Sequence, residues 1–282
     1  AERRQRRAVT RAFAQYLSPV LVERLAAEPA RLRLGGERKT LSILFSDVRG
    51  FTTISEKLKD EPERLTRLMH RLLNPLSAVV LARGGTIDKY IGDAIMAFWN
   101  APLDDPDHAL HAIEAALGML KALDALNAEL ATEAGAGEEP MRLAIGIGIN
   151  SGDCVVGNMG SEYRFDYSAL GDAVNLGARL EGETKNYDVP ILLGEFTAEL
   201  ASTRFRVVEL DRIRVKGKTL PTRVSTIVPE ADDATIAVHD GLLEDFYAGK
   251  LSMADARFAR LTGSLPTLAG YYRKLQERLA AS

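Results

Sequence analysis

Cysteine is almost missing from this chain. Its 282 residues include one, Cys154, which excludes an intrachain disulfide and a thiolate-bound metal cluster and suits a reducing compartment. Long apolar runs are missing too: none approaches the roughly 20 residues that span a bilayer, and no stretch resembles a signal peptide. Nor does one sign of charge dominate. The 36 Lys and Arg against 39 Asp and Glu leave a net charge of -3, a balance that does not suggest nucleic-acid binding. Histidine is sparse, and His70, His108, His111 and His239 fall in helical or terminal segments where they read as surface or packing residues. What remains is a 46% hydrophobic chain, enough for a sizeable core in one large domain with appendages.

The chain begins with Ala, and Arg3, Arg4, Arg6, Arg7 and Arg11 crowd its opening "AERRQRRAVTRAF". This reads as a cut end bearing a solvated helix face. The alternative is the cytoplasmic flank of a membrane helix outside the chain, where Lys and Arg collect. Residues 12–28 carry apolar residues at helical spacing, interrupted near Pro19. "LSILFSD", 41–47, is an apolar run bounded by turn signals and predicts a buried central strand. Residues 53–82 predict helix with a break at Pro62, ended by the glycines of "RGGT". "DKYIGDAIMAFW", 88–99, predicts a hairpin reversing at Gly92, with Trp99 in the sheet core. A long amphipathic helix opens at "DDPDHALHAIEAALG" with Asp and Pro at its start. "MRLAIGIGINSG" and "CVVGNMG" predict a strand pair, "FDYSAL" continues the sheet, and "GDAVNLGARLEGETK" opens a helix. Strands are expected near 190–193, 204–215 and 222–228, and only helix beyond about residue 232. The order β, α, β, β, α, β with additional strands predicts an α+β, ferredoxin-like sheet.

Charges sit where a hairpin would prefer apolar packing. Asp47 ends the first central strand and Asp93 follows the hairpin turn, so two carboxylates converge on adjacent strands and repel unless a cation lies between them. Without Cys or a nearby His, hard oxygen ligands favour Mg²⁺ or Mn²⁺ over zinc. Gly50, in "DVRGFT", puts a turn just before a helix, whose first amides can hold a phosphate beside the metal. Asn175 and Arg179, four apart, share one helix face.

"LFSDVRGFT", "GGTIDKYIGDAIMAFW", "YSALGDAVNLGARLE" and "RVKGK" occur in the order and approximate spacing of class III nucleotidyl cyclases, which the chain resembles over residues 41–229. The lead-in "AFAQYLSPVLVERL" and "LGGERKT" resemble what precedes the catalytic domain in bacterial sensor-type members. The resemblance implies a lead-in over 1–36 and a catalytic domain over 37–230, with an N-terminal sensor or membrane region in a longer parent and a cytoplasmic catalytic domain; the helical pattern beyond it reads as a C-terminal appendage over 231–282.

Position by position, the resemblance implies that Asp47 and Asp93, helped by the Val48 carbonyl, bind two metal ions. Phe51 and Thr52 would offer amides to the β and γ phosphates, and Lys216, or else Lys218, would grip the triphosphate. Lys89 would hydrogen-bond the ring-nitrogen edge of the base, Asn175 would position the ribose, and Arg179 would stabilise charge on the transferred phosphate. Ser168 stands where the animal pattern pairs an Asp with the lysine; its hydroxyl can still accept from an exocyclic amine. The implied reaction is cyclisation of ATP to 3′,5′-cyclic AMP and pyrophosphate in a head-to-tail homodimer with two complete sites, Asp93 of one chain and Lys89 of its partner serving one nucleotide. A guanylyl cyclase would put an acidic residue at 89. A non-catalytic nucleotide-binding dimerisation module would lack one of these groups, and a phosphohydrolase would bring histidine ligands.

Overall fold

The structure, a computed structural model, describes residues 7, 10–27, 36–135, 139–161, 163–164, 166–214 and 221–281. The expected core is present. Strands β1 (Glu37–Val48), β2 (Thr86–Ile91), β3 (Ala94–Trp99) and β4 (Ile145–Asn158) lie in the order β2-β3-β1-β4. β1 is antiparallel to both β3 and β4. The sheet continues through β6 (Ile191–Gly194), β8 (Thr222–Ile227) and β7 (Val207–Ile213), while β5 (Tyr167–Leu170) pairs with the far end of β4.

The predicted pair "MRLAIGIGINSG" and "CVVGNMG" is instead one strand, β4, of 14 residues. Ser151 and Gly152, which read as a turn, stand opposite Ser42 and Leu41. Because β1 is itself 12 residues long, it supplies backbone partners to β4 from Ile145 to Val156, and pairing outweighs local turn preference. The break near Pro62 separates two helices, α2 (Phe51–Lys57) and α3 (Pro62–Ala82). Pro62 takes the first helical position, where its missing N–H costs nothing.

Alternation along the strands divides the core. Leu44, Ile95, Ala97, Trp99, Ile147 and Leu193 face α3 and α4 (His108–Glu133) in one cluster. The intervening residues face the other way. Leu41, Ile43, Met96 and Phe98 pack under the lead-in, whose Phe13, Tyr16, Leu17, Val22 and Leu25 are buried; α1 there runs Pro19–Ala27. Leu192, Val208, Leu210 and Val224 pack under α5 (Asp172–Tyr187) and the C-terminal helices α7 (Asp233–Tyr247), α8 (Ala256–Ser264) and α9 (Ala269–Ala281). A short helix not anticipated from sequence, α6 (Glu195–Ala201), follows β6.

Two details position the site. β4 and α5 touch backbone to backbone: a Cβ at Gly148 would lie 2.2 Å from the Glu181 nitrogen and 2.5 Å from the Gly177 carbonyl oxygen. Only glycine permits that approach. On the C-terminal side, buried His239 joins α7 to β7 and α9. Its Nε2 lies 2.6 Å from the Glu209 carbonyl oxygen, so that nitrogen donates, and Nδ1 accepts from the Tyr272 hydroxyl at 2.8 Å.

Candidate active site

The β2–β3 hairpin reverses through Gly92 and Asp93, between the paired residues Ile91 and Ala94. Gly92 takes φ +65° at the first central position, as a two-residue hairpin turn with matching strand twist requires. Asp93 is thereby placed beside the end of β1. The Val48 amide lies 3.0 Å from Asp47 Oδ1 and 3.2 Å from Asp93 Oδ2, so both carboxylates converge on one N–H. Partial burial, and then the neighbouring Asp47, push the Asp93 carboxyl up to about 6. Each carboxylate disfavours the other's charge.

Among the described residues no third His, Cys, Asp or Glu completes a three-ligand cluster with them. That donor set fits an ion which keeps water and substrate phosphate in its shell, as Mg²⁺ does. Gly50, in the left-handed conformation, precedes Phe51 at the start of α2. The amides of Phe51 and Thr52 are among those that a helix start leaves without intrahelical acceptors. Below the pair, half-buried Glu181 on α5 is raised to about 7, first by burial and then by the charge of Asp47.

Lys89 and Ser168 meet through a residue to which the sequence reading gave no role. Asp88 is buried, and its Oδ2 accepts from Ser168 Oγ at 2.6 Å, while Lys89 Nζ lies 3.3 Å from its Oδ1. Burial raises the Asp88 carboxyl above its usual range, against the pull of Ser168 and Lys89. Strict alternation would send Asp88 and Lys89 to opposite faces. The register of β2 slips between Ile87 and Lys89, and this bulge makes Asp88 the extra residue and re-aims the strand. Recognition from sequence would have needed the bulge.

Asn175 and Arg179 are both exposed on α5, as their spacing requires, and line a cleft of about 760 Å³ with Ser151, Asp153, Phe196 and Thr222. Asp47, Asp93, Lys89 and Ser168 do not line that cleft. Lys216 and Lys218 lie outside the described residues.

Residues 36–228 match the Adenylate and Guanylate cyclase catalytic domain family. The chain belongs to it. An adenylate cyclase of Anabaena cylindrica is 37% identical over 215 residues, covering 75% of this chain and 40% of that protein. The chain therefore spans two fifths of that relative, and 28% of the adenylate cyclase 1 of Rhizobium meliloti, to which it is 32% identical over 68% of its own length. Among solved structures, the adenylyl cyclase CyaB from P. aeruginosa superposes with a TM-score of 0.62 at 35% identity, covering 71% of this chain and 99% of that one. The guanylyl cyclase Cya2 is equally close in shape, with a TM-score of 0.61, 34% identity and coverage of 72% and 98%.

Membership explains the α+β sheet and leaves the purine open. In this cyclase domain Asn175 and Arg179 share a cleft whose described lining does not include Asp47 or Asp93. No described helix is long and apolar enough to cross a membrane.

Proposed function

We propose that the chain is the catalytic region of an adenylyl cyclase, in which the 3′-hydroxyl of ATP attacks its own α-phosphorus and pyrophosphate leaves. The observation that carries this reading is the convergence of Asp47 and Asp93 on the Val48 amide: a carboxylate pair built for a cation, at the start of a helix that can receive phosphates. Asp47 and Asp93, with the Val48 carbonyl, would hold Mg²⁺ or Mn²⁺, two per site, and the ions when bound would acidify the attacking hydroxyl and neutralise the leaving charge.

The remaining work falls to the chain. The Phe51 and Thr52 amides orient the β and γ phosphates, and Lys216, assigned on resemblance alone with Lys218 as second candidate, grips the triphosphate. Lys89 donates to a ring nitrogen of adenine, and guanine's N1–H is a mismatch for its ammonium. Asn175 holds the ribose so that the 3′-oxygen faces phosphorus, and Arg179 faces the charge that develops there.

Asn175 and Arg179 line a cleft that Asp47 and Asp93 do not line, which favours a head-to-tail homodimer whose two sites each draw on both chains. Exposed apolar residues on two hairpins, Tyr90 and Ile91 on one and Val155, Tyr163 and Leu170 on the other, supply surface for it.

The test is product formation by the purified chain supplied with ATP or GTP and with Mg²⁺ or Mn²⁺, cyclic nucleotides being separated by chromatography. Cyclic AMP should dominate. Cyclic GMP as the main product would favour the activity that Cya2's name carries, and no product from either nucleotide would leave a binding module.

A further inference from the structure

The purine end of the candidate site has a third member that accepts hydrogen bonds from within. The Asp88 side chain has no exposed surface. Its Oδ2 takes the Ser168 hydroxyl proton at 2.6 Å and the Ala169 amide at 3.4 Å. Its Oδ1 is buried without a hydrogen bond, 3.3 Å from the Lys89 ammonium. A carboxylate out of water persists only where donors and a cation hold it. The donors here are the Ser168 hydroxyl and the Ala169 amide and the cation is Lys89, so both residues read above as base contacts hold it.

We infer that Asp88 is the positioning residue that sets the choice of purine, by holding the Ser168 hydroxyl as an acceptor facing a 6-amino group. This rests on the reading of Lys89 and Ser168 as base contacts. A serine hydroxyl has one proton and two lone pairs. Asp88 takes the proton, and the Ala169 amide fixes the oxygen that takes it, so Ser168 offers only lone pairs to whatever lies beyond. An exocyclic amine satisfies them. A 6-oxo group sets acceptor against acceptor in a site from which water is displaced, and an unpaired polar group there is what makes hydrogen-bonding sites selective. Without an acceptor at position 88 the hydroxyl rotates freely and serves either purine. Ser168 keeps 3% of its surface exposed, so its one free direction is narrow. Lys89 complements the choice by donating beside it.

The mechanism distinguishes two substitutions of similar size. Asp88→Ala removes the acceptor. Asp88→Asn keeps a carbonyl oxygen that can take both the Ser168 proton and the Ala169 amide, although it gives up the charge. The experiment measures kcat/KM for ATP and for GTP with Mn²⁺, and the affinities of 3′-deoxy-ATP and 3′-deoxy-GTP, which cannot cyclise and so report selectivity without turnover. The ATP-to-GTP preference should fall about tenfold or more in Asp88→Ala, in both readouts, and stay within about threefold of wild type in Asp88→Asn. In a Ser168→Ala background, Asp88→Ala should change the preference no further. Asp88→Leu, apolar and of similar branching, replaces Asp88→Ala if that protein does not fold. Wild-type preference in the Ala or Leu protein, or an Asn protein as unselective as either, overturns the inference alone. A wild-type protein that turns over neither nucleotide overturns the function reading and this inference together.

Discussion

The carboxylate pair makes the metal-free protein sensitive to pH in a direction opposite to most acidic groups. Moving the Asp93 carboxyl from its ordinary 3.8 to about 6 corresponds to about 3 kcal/mol, at about 1.4 kcal/mol per tenfold. Solvent reaches part of Asp93, and screening reduces this to about 1–2 kcal/mol. Below the ordinary value both folded and unfolded chains hold the proton, and the pair carries no penalty. As pH rises towards 6 the unfolded chain releases its proton first, so the folded state loses stability, and above the folded value the full penalty is present. Urea unfolding in EDTA, followed by the fluorescence of the single, buried Trp99, would measure it across pH 4–8. Comparison with Asp93→Asn isolates the pair from Glu181, which burial also raises. The two proteins should match near pH 4, and the variant should be more stable by about 1–2 kcal/mol at pH 7.5, or about 2–6 °C in Tm. Millimolar Mn²⁺ should stabilise the wild type at pH 7.5 and close the gap, with little effect on the variant. A difference that does not change with pH, or equal stabilisation of both proteins by Mn²⁺, would refute the reasoning.

If two chains complete each site, Asp93→Ala and Arg179→Ala proteins should each be nearly inactive, and after subunit exchange their mixture should recover about a quarter of wild-type activity, since about half of random pairs are mixed and each has one intact site of two; an inactive mixture with exchange verified by labelled chains would place the whole site in one chain. Gly148→Ala should destabilise the fold by more than about 2 kcal/mol, because its methyl meets the Glu181 and Gly177 backbone, and should lower activity by shifting the helix of Asn175 and Arg179; wild-type stability in urea would show a looser seat. His239→Phe should cost about 2–4 kcal/mol by stripping the Glu209 carbonyl and the Tyr272 hydroxyl of their partner. Burial lowers the His239 pKa, so its stabilisation is present above the ordinary imidazole range and is lost as pH falls; the gap between wild type and His239→Phe should narrow on acidification from pH 8 to 5.

Wherever local pattern and final environment agree, the architecture was legible. The apolar run 41–47 lies in the C-terminal part of β1, the Gly92 turn lies where the pattern reverses, and the helical spacing of Asn175 and Arg179 puts both on one cleft. Long-range pairing hid the rest. "NSGDC" carries turn residues, yet it is strand because twelve residues of β1 hold it. "EFTAELA" is too short to announce a helix against its neighbours, but buried Thr197 and Ala201 seat it on the core. Asp88 was hidden by the alternation rule itself, since its pairing with Ser168 across 80 positions depends on a one-residue slip of register. Convergence of Asp47 and Asp93 could be anticipated from strand order, whereas their shared amide required coordinates.

The layer opposite α3 and α4 bears on how portable this cyclase unit is. The span that matches the family, 36–228, contains every candidate site residue but excludes the lead-in over Met96, Phe98 and Tyr167 and the helices over Val208, Leu210 and Val224. It also excludes Tyr16, whose carbonyl oxygen receives the Ile87 amide at 2.9 Å, next to the bulge that carries Asp88. Transplanted alone, the matched span would keep its chemistry's parts list and arrive with two apolar flanks bare and the purine-end strand missing a tether. A donor of this domain must therefore hand over its borders with it, as an inlay cut to its outline loses the backing that keeps the pieces level.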